Sequence, residues 1–92
     1  MAPFAGYNMP ISYTGINDEH NCVRNHIGVF DVSHMGEFIL KGEKAIDLIQ
    51  RVTSNDAAKL VTEKIQYSCL PNETGGIVDD LLVYRLGENE WM

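Results

Sequence analysis

Two adjacent acids stand in the middle of an apolar stretch, Asp79 and Asp80 in the run N-E-T-G-G-I-V-D-D-L-L-V-Y from Asn72 to Tyr84. Side chains alternate across a strand, so the two carboxylates point to opposite faces. Val78, Asp80, Leu82 and Tyr84 share one face; Ile77, Asp79, Leu81 and Val83 share the other. Both faces are otherwise largely apolar, which predicts a strand covered on both sides. A carboxylate there loses water and must be paired, hydrogen-bonded or neutralised. Folding requires no such pair, so the acids mark a candidate site. The competing reading of Asp80 is an acid that caps a turn or pairs with a nearby base such as Arg85. Asp79, facing the other way, reads as structural, bonding backbone groups of the turn.

Other chemistry-bearing residues are sparse. His34 lies among apolar residues and reads first as a packed histidine, while Asp31 and Ser33 read as holders of loop backbone. No serine, histidine and acid are spaced in a way that declares nucleophilic catalysis. His20 and His26 are six positions apart and do not stack on one helical face, and no Cys/His spacing suggests a metal site. Gly75-Gly76 stands between two strands and not before a helix, which argues against a phosphate loop. Cys22 and Cys69 read as reduced and partly buried thiols.

The elements that must position these residues follow from periodicity. Phe4 to Gly15 reads as loop or short extended structure that packs through its aromatic residues. Asn17 is a candidate helix cap, with Asp18 and Glu19 in the first turn and Gly28 as the stop. Val29 to Leu40 reads as extended, with Gly36 as a bulge or a close approach. Glu43 to Val52 is the clearest helix, with Ala45, Leu48, Ile49 and Val52 on one face. An irregular or short helical connection over Ala57 to Thr62 leads to a strand at Ile65 to Leu70. The turn Pro71 to Gly76 then returns the chain as a strand over Ile77 to Leu86, pairing antiparallel with the first. The expected class is α+β, an antiparallel sheet with helices packed on one side.

Composition narrows the function. Ninety-two residues make at most one small domain, and the formal net charge of −6 with no Lys/Arg run argues against nucleic acid. It leaves room for a small anionic ligand held by one or two local cations. No apolar run is long enough to span a membrane, and Met1 to Phe4 lacks the form of a signal peptide. A glycine- and proline-bearing loop opens the chain, and a new strand is beginning at Trp91-Met92. Both ends read as those of a fragment.

Several blocks carry a resemblance. F-A-G-Y-N-M-P-I-S-Y (Phe4 to Tyr13), E-H-N-C-V-R (Glu19 to Arg24), G-V-F-D-V-S-H-M-G-E (Gly28 to Glu37), S-N-D (Ser54 to Asp56), Q-Y-S (Gln66 to Ser68) and N-E-T-G-G-I-V-D-D-L-L-V-Y-R (Asn72 to Arg85) resemble the amino-terminal part of the glycine cleavage system T-protein family, which are aminomethyltransferases. The similarity covers essentially the whole chain, so residues 1–92 would be an incomplete part of the amino-terminal folate-binding domain. The resemblance implies an enzyme that moves the one-carbon unit from the aminomethyl-lipoyl arm of an H-protein to tetrahydrofolate, with release of ammonia. It implies Asp80 as the catalytic acid, and Tyr67, Tyr84, Met35 and Ile39 as folate contacts, with no metal. The implied partners are the lipoylated H-protein and tetrahydrofolate, with neither nucleic acid nor membrane. The implied compartment is the cytoplasm of a bacterium or the mitochondrial matrix of a eukaryote. Alternatives are a folate-dependent demethylating or oxidising enzyme of the sarcosine and dimethylglycine dehydrogenase group, or a non-catalytic folate-binding module. The fragment alone is expected to be inactive and to self-associate through apolar surface left open.

Overall fold

A computed structural model describes all residues, Met1 to Met92. The chain divides into two compact units, Met1–Gly36 and Glu37–Met92.

In the first unit, β1 (Ala2–Phe4) and β2 (Tyr7–Met9) form an antiparallel hairpin. The short extended structure expected as one option over Phe4 to Gly15 is thus partly present, but its aromatic residues do not pack it down: Phe4, Tyr7 and Tyr13 are all exposed. The hairpin's two-residue turn has φ 48° at Ala5 and 83° at Gly6, both positive, as a turn matched to strand twist requires. The helix α1 spans Ile16–Asn25. Gly15, not Asn17, stands at its N-cap, and no cap side chain bonds the first turn. Instead Glu19 reaches back, and its Oε1 accepts the N–H groups of Tyr13 (2.5 Å), Thr14 (2.7 Å) and Gly15 (3.3 Å). These are the N–H groups leading into the helix, not the first-turn donors that a cap at Asn17 would serve. The helix closes at His26, whose N–H donates to the Cys22 carbonyl. Gly28 lies beyond that end, and a Cβ there would meet Val23 Cγ2 at 2.5 Å. Close approach, not helix termination, explains this glycine.

The strand expected over Val29 to Leu40 does not form; β3 is only Leu40–Lys41. Local bonds replace extension. Asp31 Oδ1 accepts from the Ser33 N–H at 2.9 Å and from its hydroxyl at 2.5 Å, and the Met35 N–H donates to the Val32 carbonyl. Side chain-to-backbone bonds of this kind compete with strand ladders wherever no partner strand is in register. His34 is half-buried, its ring edge-on to Phe4 at 5.1 Å. Asp31 and Ser33 hold loop backbone, as their types suggested.

The second unit carries the α+β core. The helix α2 spans Ala45–Val52, starting two residues later than its periodicity implied. Ala45 and Ile49 are buried, whereas Leu48 and Val52 remain exposed. A 3-10 turn follows at Ala57–Lys59, capped by Asp56, whose side chain accepts the Ala58 N–H. The strands β4 (Ile65–Pro71) and β5 (Ile77–Tyr84) pair antiparallel, and β6 (Glu90–Trp91) pairs with β3. Backbone bonds between Tyr84 and Met92 in both directions, with the bridge of Arg85 to Trp91, tie the end of β5 to β6. The core is Ala45, Ile49, Ala57, Leu60, Val83 and Trp91, with Leu40, Ile46 and Leu81 packed against it. The helix α2 and the 3-10 turn therefore cover one face of the β4–β5 hairpin, as the α+β class requires.

Candidate functional site

Register decides which side chains meet. In the β4–β5 ladder Ile65 opposes Tyr84, Tyr67 opposes Leu82 and Cys69 opposes Asp80. Opposed residues share a face, so these six, with Val78, form the outer face of the hairpin. Gln66, Ser68, Leu81 and Val83 form the inner face. Ser68 and Val83 there are only 2% and 3% exposed.

The outer face is open. Val78 is 70% exposed and Tyr67 62%, and Asp80 is exposed. This corrects the expectation of a strand covered on both sides. Alternation reports that both faces are apolar, but the second unit packs its helix and core residues against the inner face alone.

Asp80 is nevertheless partnered. The Tyr67 hydroxyl donates to Asp80 Oδ2 at 2.5 Å, reaching diagonally across the ladder. Tyr67's hydroxyl is the first cause holding the Asp80 carboxyl below its ordinary range, followed by the backbone N–H of Asp80. The same bond is the first cause that pushes the Tyr67 phenol up, with desolvation and the charge of Asp80 next. The pair is therefore an ionised carboxylate held by a neutral phenol. Arg85, the alternative partner, is engaged elsewhere. Its Nη1 donates to the Leu60 carbonyl at 2.7 Å, and its guanidinium carbon lies 5.1 Å from the Trp91 ring centroid. Asp79 Oδ1 accepts the Asp80 N–H at 2.9 Å, a local backbone bond.

The turn and the flanking loop fix this geometry. Asn72 Oδ1 accepts from the Thr74 N–H, the Thr74 hydroxyl and the Gly76 N–H. A Cβ on Gly76 would come within 2.8 Å of Asn72 Nδ2, and Gly75 has φ +86°, so both glycines are required by shape. The free edge of β4 is clamped by the loop after α2. The Ser54 N–H donates to the Cys69 carbonyl, Ser54 Oγ accepts the Cys69 N–H, and Asn55 Nδ2 donates to the Tyr67 carbonyl. The S-N-D and Q-Y-S blocks thus hold one another, with the Asn55 N–H donating to Ser68 Oγ at 3.1 Å.

The structure brings Asp80 and Tyr67 together and sets Tyr84, half-buried, on the same face four residues along β5. Four residues span about 13–14 Å of strand. Ile39 is exposed on the segment entering β3, and Met35 is exposed in the first unit; neither shares an element with the pair. Sequence reasoning missed the Tyr67–Asp80 bond, because antiparallel pairing was legible but its register was not. The shift between Leu70 and Pro71 offsets the ladder near the turn. No group of three or more His, Cys, Asp or Glu is placed to hold a metal ion, and no helix is long and apolar enough to cross a membrane.

The model of the GCVT N-terminal domain matches residues 1–92. The chain belongs to the GCVT N-terminal domain family. Among curated relatives of this family, the aminomethyltransferase of Flavobacterium psychrophilum is 67% identical over the whole chain, which covers 26% of that relative. The aminomethyltransferase of Thermus thermophilus is 56% identical, again over the whole chain and 26% of the relative. Among solved structures, the glycine cleavage system aminomethyltransferase T of Bartonella henselae matches with a TM-score of 0.80 and 41% identity, over 98% of this chain and 25% of that one. The chain therefore spans about a quarter of the length of the relatives it matches. The resemblance drawn from the sequence blocks and the α+β class are both borne out.

Proposed function

We propose that residues 1–92 are part of the amino-terminal folate-binding domain of an aminomethyltransferase. Its whole protein moves the one-carbon unit from an aminomethyl-lipoyl H-protein to tetrahydrofolate and releases ammonia. The observation that carries the reading is the Asp80 carboxylate, held ionised by Tyr67 on an apolar strand face that also bears Tyr84. Tetrahydrofolate is the acceptor substrate. Its amines gain a carbon while positive charge develops beside them, and a carboxylate fixed at that point stabilises the charge without reorganising. The rings of Tyr67 and Tyr84, with Ile39, supply apolar contacts; Met35, in the first unit, is a folate contact by the family resemblance alone. Water excluded from such a face when ligand and neighbouring surfaces close on it strengthens the carboxylate's effect. The aminomethyltransferase names of the relatives favour this reading over the dehydrogenase-linked group and over a non-catalytic module. Their bacterial sources favour action in the bacterial cytoplasm.

The test is Asp80→Asn in the full-length protein. Turnover should fall about 100-fold or more, as for loss of a positioned acid–base group, while tetrahydrofolate affinity changes little. Activity surviving with little change would reduce Asp80 to a structural role. The 92-residue chain alone should release no ammonia from aminomethylated H-protein.

A further inference from the structure

The geometry points to the Tyr67 hydroxyl as a positioning group: it acts on the reaction through Asp80, by holding Oδ2 and aiming the carboxylate, and not by touching the folate. This deepens the reading above and rests on it.

Three observations support it. First, the bond links two different strands, so ladder register decides that these two side chains can meet. Tyr67 opposes Leu82, two residues from Asp80 on the same face, a diagonal that a tyrosine can span. Second, the donor's own backbone is fixed. Its carbonyl accepts Asn55 Nδ2, and the residues on either side of Tyr67 are tied too. Gln66 Nε2 donates to the Asp56 carbonyl at 3.0 Å, and Ser68 Oγ accepts the Asn55 N–H. Third, Asp80 has no cation to orient it. The groups around it are Tyr67 and Cys69 on β4 and Asp79 beside it on β5, none of them positive, and Arg85 is spent on Leu60 and Trp91. An exposed carboxylate with no partner samples many rotamers, and one phenol bond removes much of that freedom. Misplacement by a fraction of the reacting distance is costly to rate, which is where a positioning group acts.

Tyr67→Phe in the full-length protein keeps the ring and removes only the hydroxyl. The expected result is a kcat about 10-fold lower or less, with KM for tetrahydrofolate within about 3-fold of wild type. The acidic limb of the kcat/KM profile should move to higher pH, because the carboxylate loses the bond that lowers its pKa. Adding Tyr67→Phe to Asp80→Asn should cost nothing further. A raised KM with an unmoved pH limb, or additive losses in the double variant, would overturn the proposal and make the hydroxyl a ligand contact. A second readout needs no turnover. The Tyr67 phenol, followed by its ultraviolet titration or ring NMR signals, should ionise above the ordinary tyrosine range in the resting protein and return toward it in Asp80→Asn. An unshifted phenol would overturn the proposal outright. A shifted phenol in a protein that transfers no one-carbon unit would overturn the proposed activity, and with it the positioning role.

Discussion

Truncating Trp91 to alanine tests whether the inner face of the hairpin is what holds the outer one. Trp91 is the only tryptophan in the chain and is 2% exposed. It lies in the cluster with Ile49, Leu60 and Val83, and the Arg85 guanidinium covers its ring. A side chain of this kind buries about 150–250 Å². At roughly 25 cal/mol per Å² that is about 4–6 kcal/mol of transfer free energy. Measured truncations of buried tryptophan cluster at about 3–5 kcal/mol, and the lost cation–π contact adds about 0.5–1 kcal/mol. A unit the size of Glu37–Met92 has a total stability of only about 3–8 kcal/mol. Trp91→Ala should therefore remove about 3.5–6 kcal/mol, from just under half to all of that stability. Urea unfolding followed by far-UV circular dichroism reads this directly, and Trp91→Phe, which refills most of the space, should restore much of the loss. A midpoint shift worth less than about 1 kcal/mol would refute the reasoning, because it would mean that the cluster is not what stabilises the hairpin. The raised ionisation of Tyr67 should be lost together with the unfolding transition, and at lower urea in Trp91→Ala, since Val83 of the same cluster lies on the strand that carries Asp80.

Two further expectations follow from the same geometry. Glu19 is held below its ordinary carboxyl range by the N–H groups of Tyr13, then Thr14 and Gly15. Its folded pKa is depressed, so its contribution is present above the unfolded value and lost as pH falls through the folded one. The amide signals of Tyr13 to Gly15 should shift together on acidification below the usual glutamate range, and Glu19→Ala should abolish that transition and fray the start of α1; an unchanged transition contradicts the cap. Val29, Phe38 and Val78 are 97%, 76% and 70% exposed, so the isolated chain should self-associate with rising concentration. A clean monomer by sedimentation at high concentration contradicts this.

Much of the fold was legible in the residues. Ala45 and Ile49 at helical spacing marked α2, and the alternation on either side of Pro71–Gly76 marked β4, β5 and their antiparallel pairing. The two glycines of that turn are required by shape, so their presence there was informative. The first helix was legible too, but not its start: an acidic first turn is equally consistent with a cap at Asn17 and with the observed start at Gly15, where Glu19 binds back to the preceding backbone. The segment from Val29 to Leu40 was misread for a different reason. Period-two alternation states that a stretch could be a strand, but a strand needs a ladder, and whether a partner lies in register is a non-local matter. Asp31 and Ser33 supplied local bonds instead.

The site divides along the same line. Residue types and blocks alone determined the family and the α+β class, because each rests on local pattern, and they singled out Asp80 as the candidate acid. Tertiary structure alone decided that Asp80 is bound by Tyr67 and not by Arg85, and that its strand is covered on one face only. Those facts depend on which residue of β4 lies opposite which of β5, and on which side α2 packs. Neither is encoded in the order of residues along one strand; both are set by the ladder and by the core that closes beneath it.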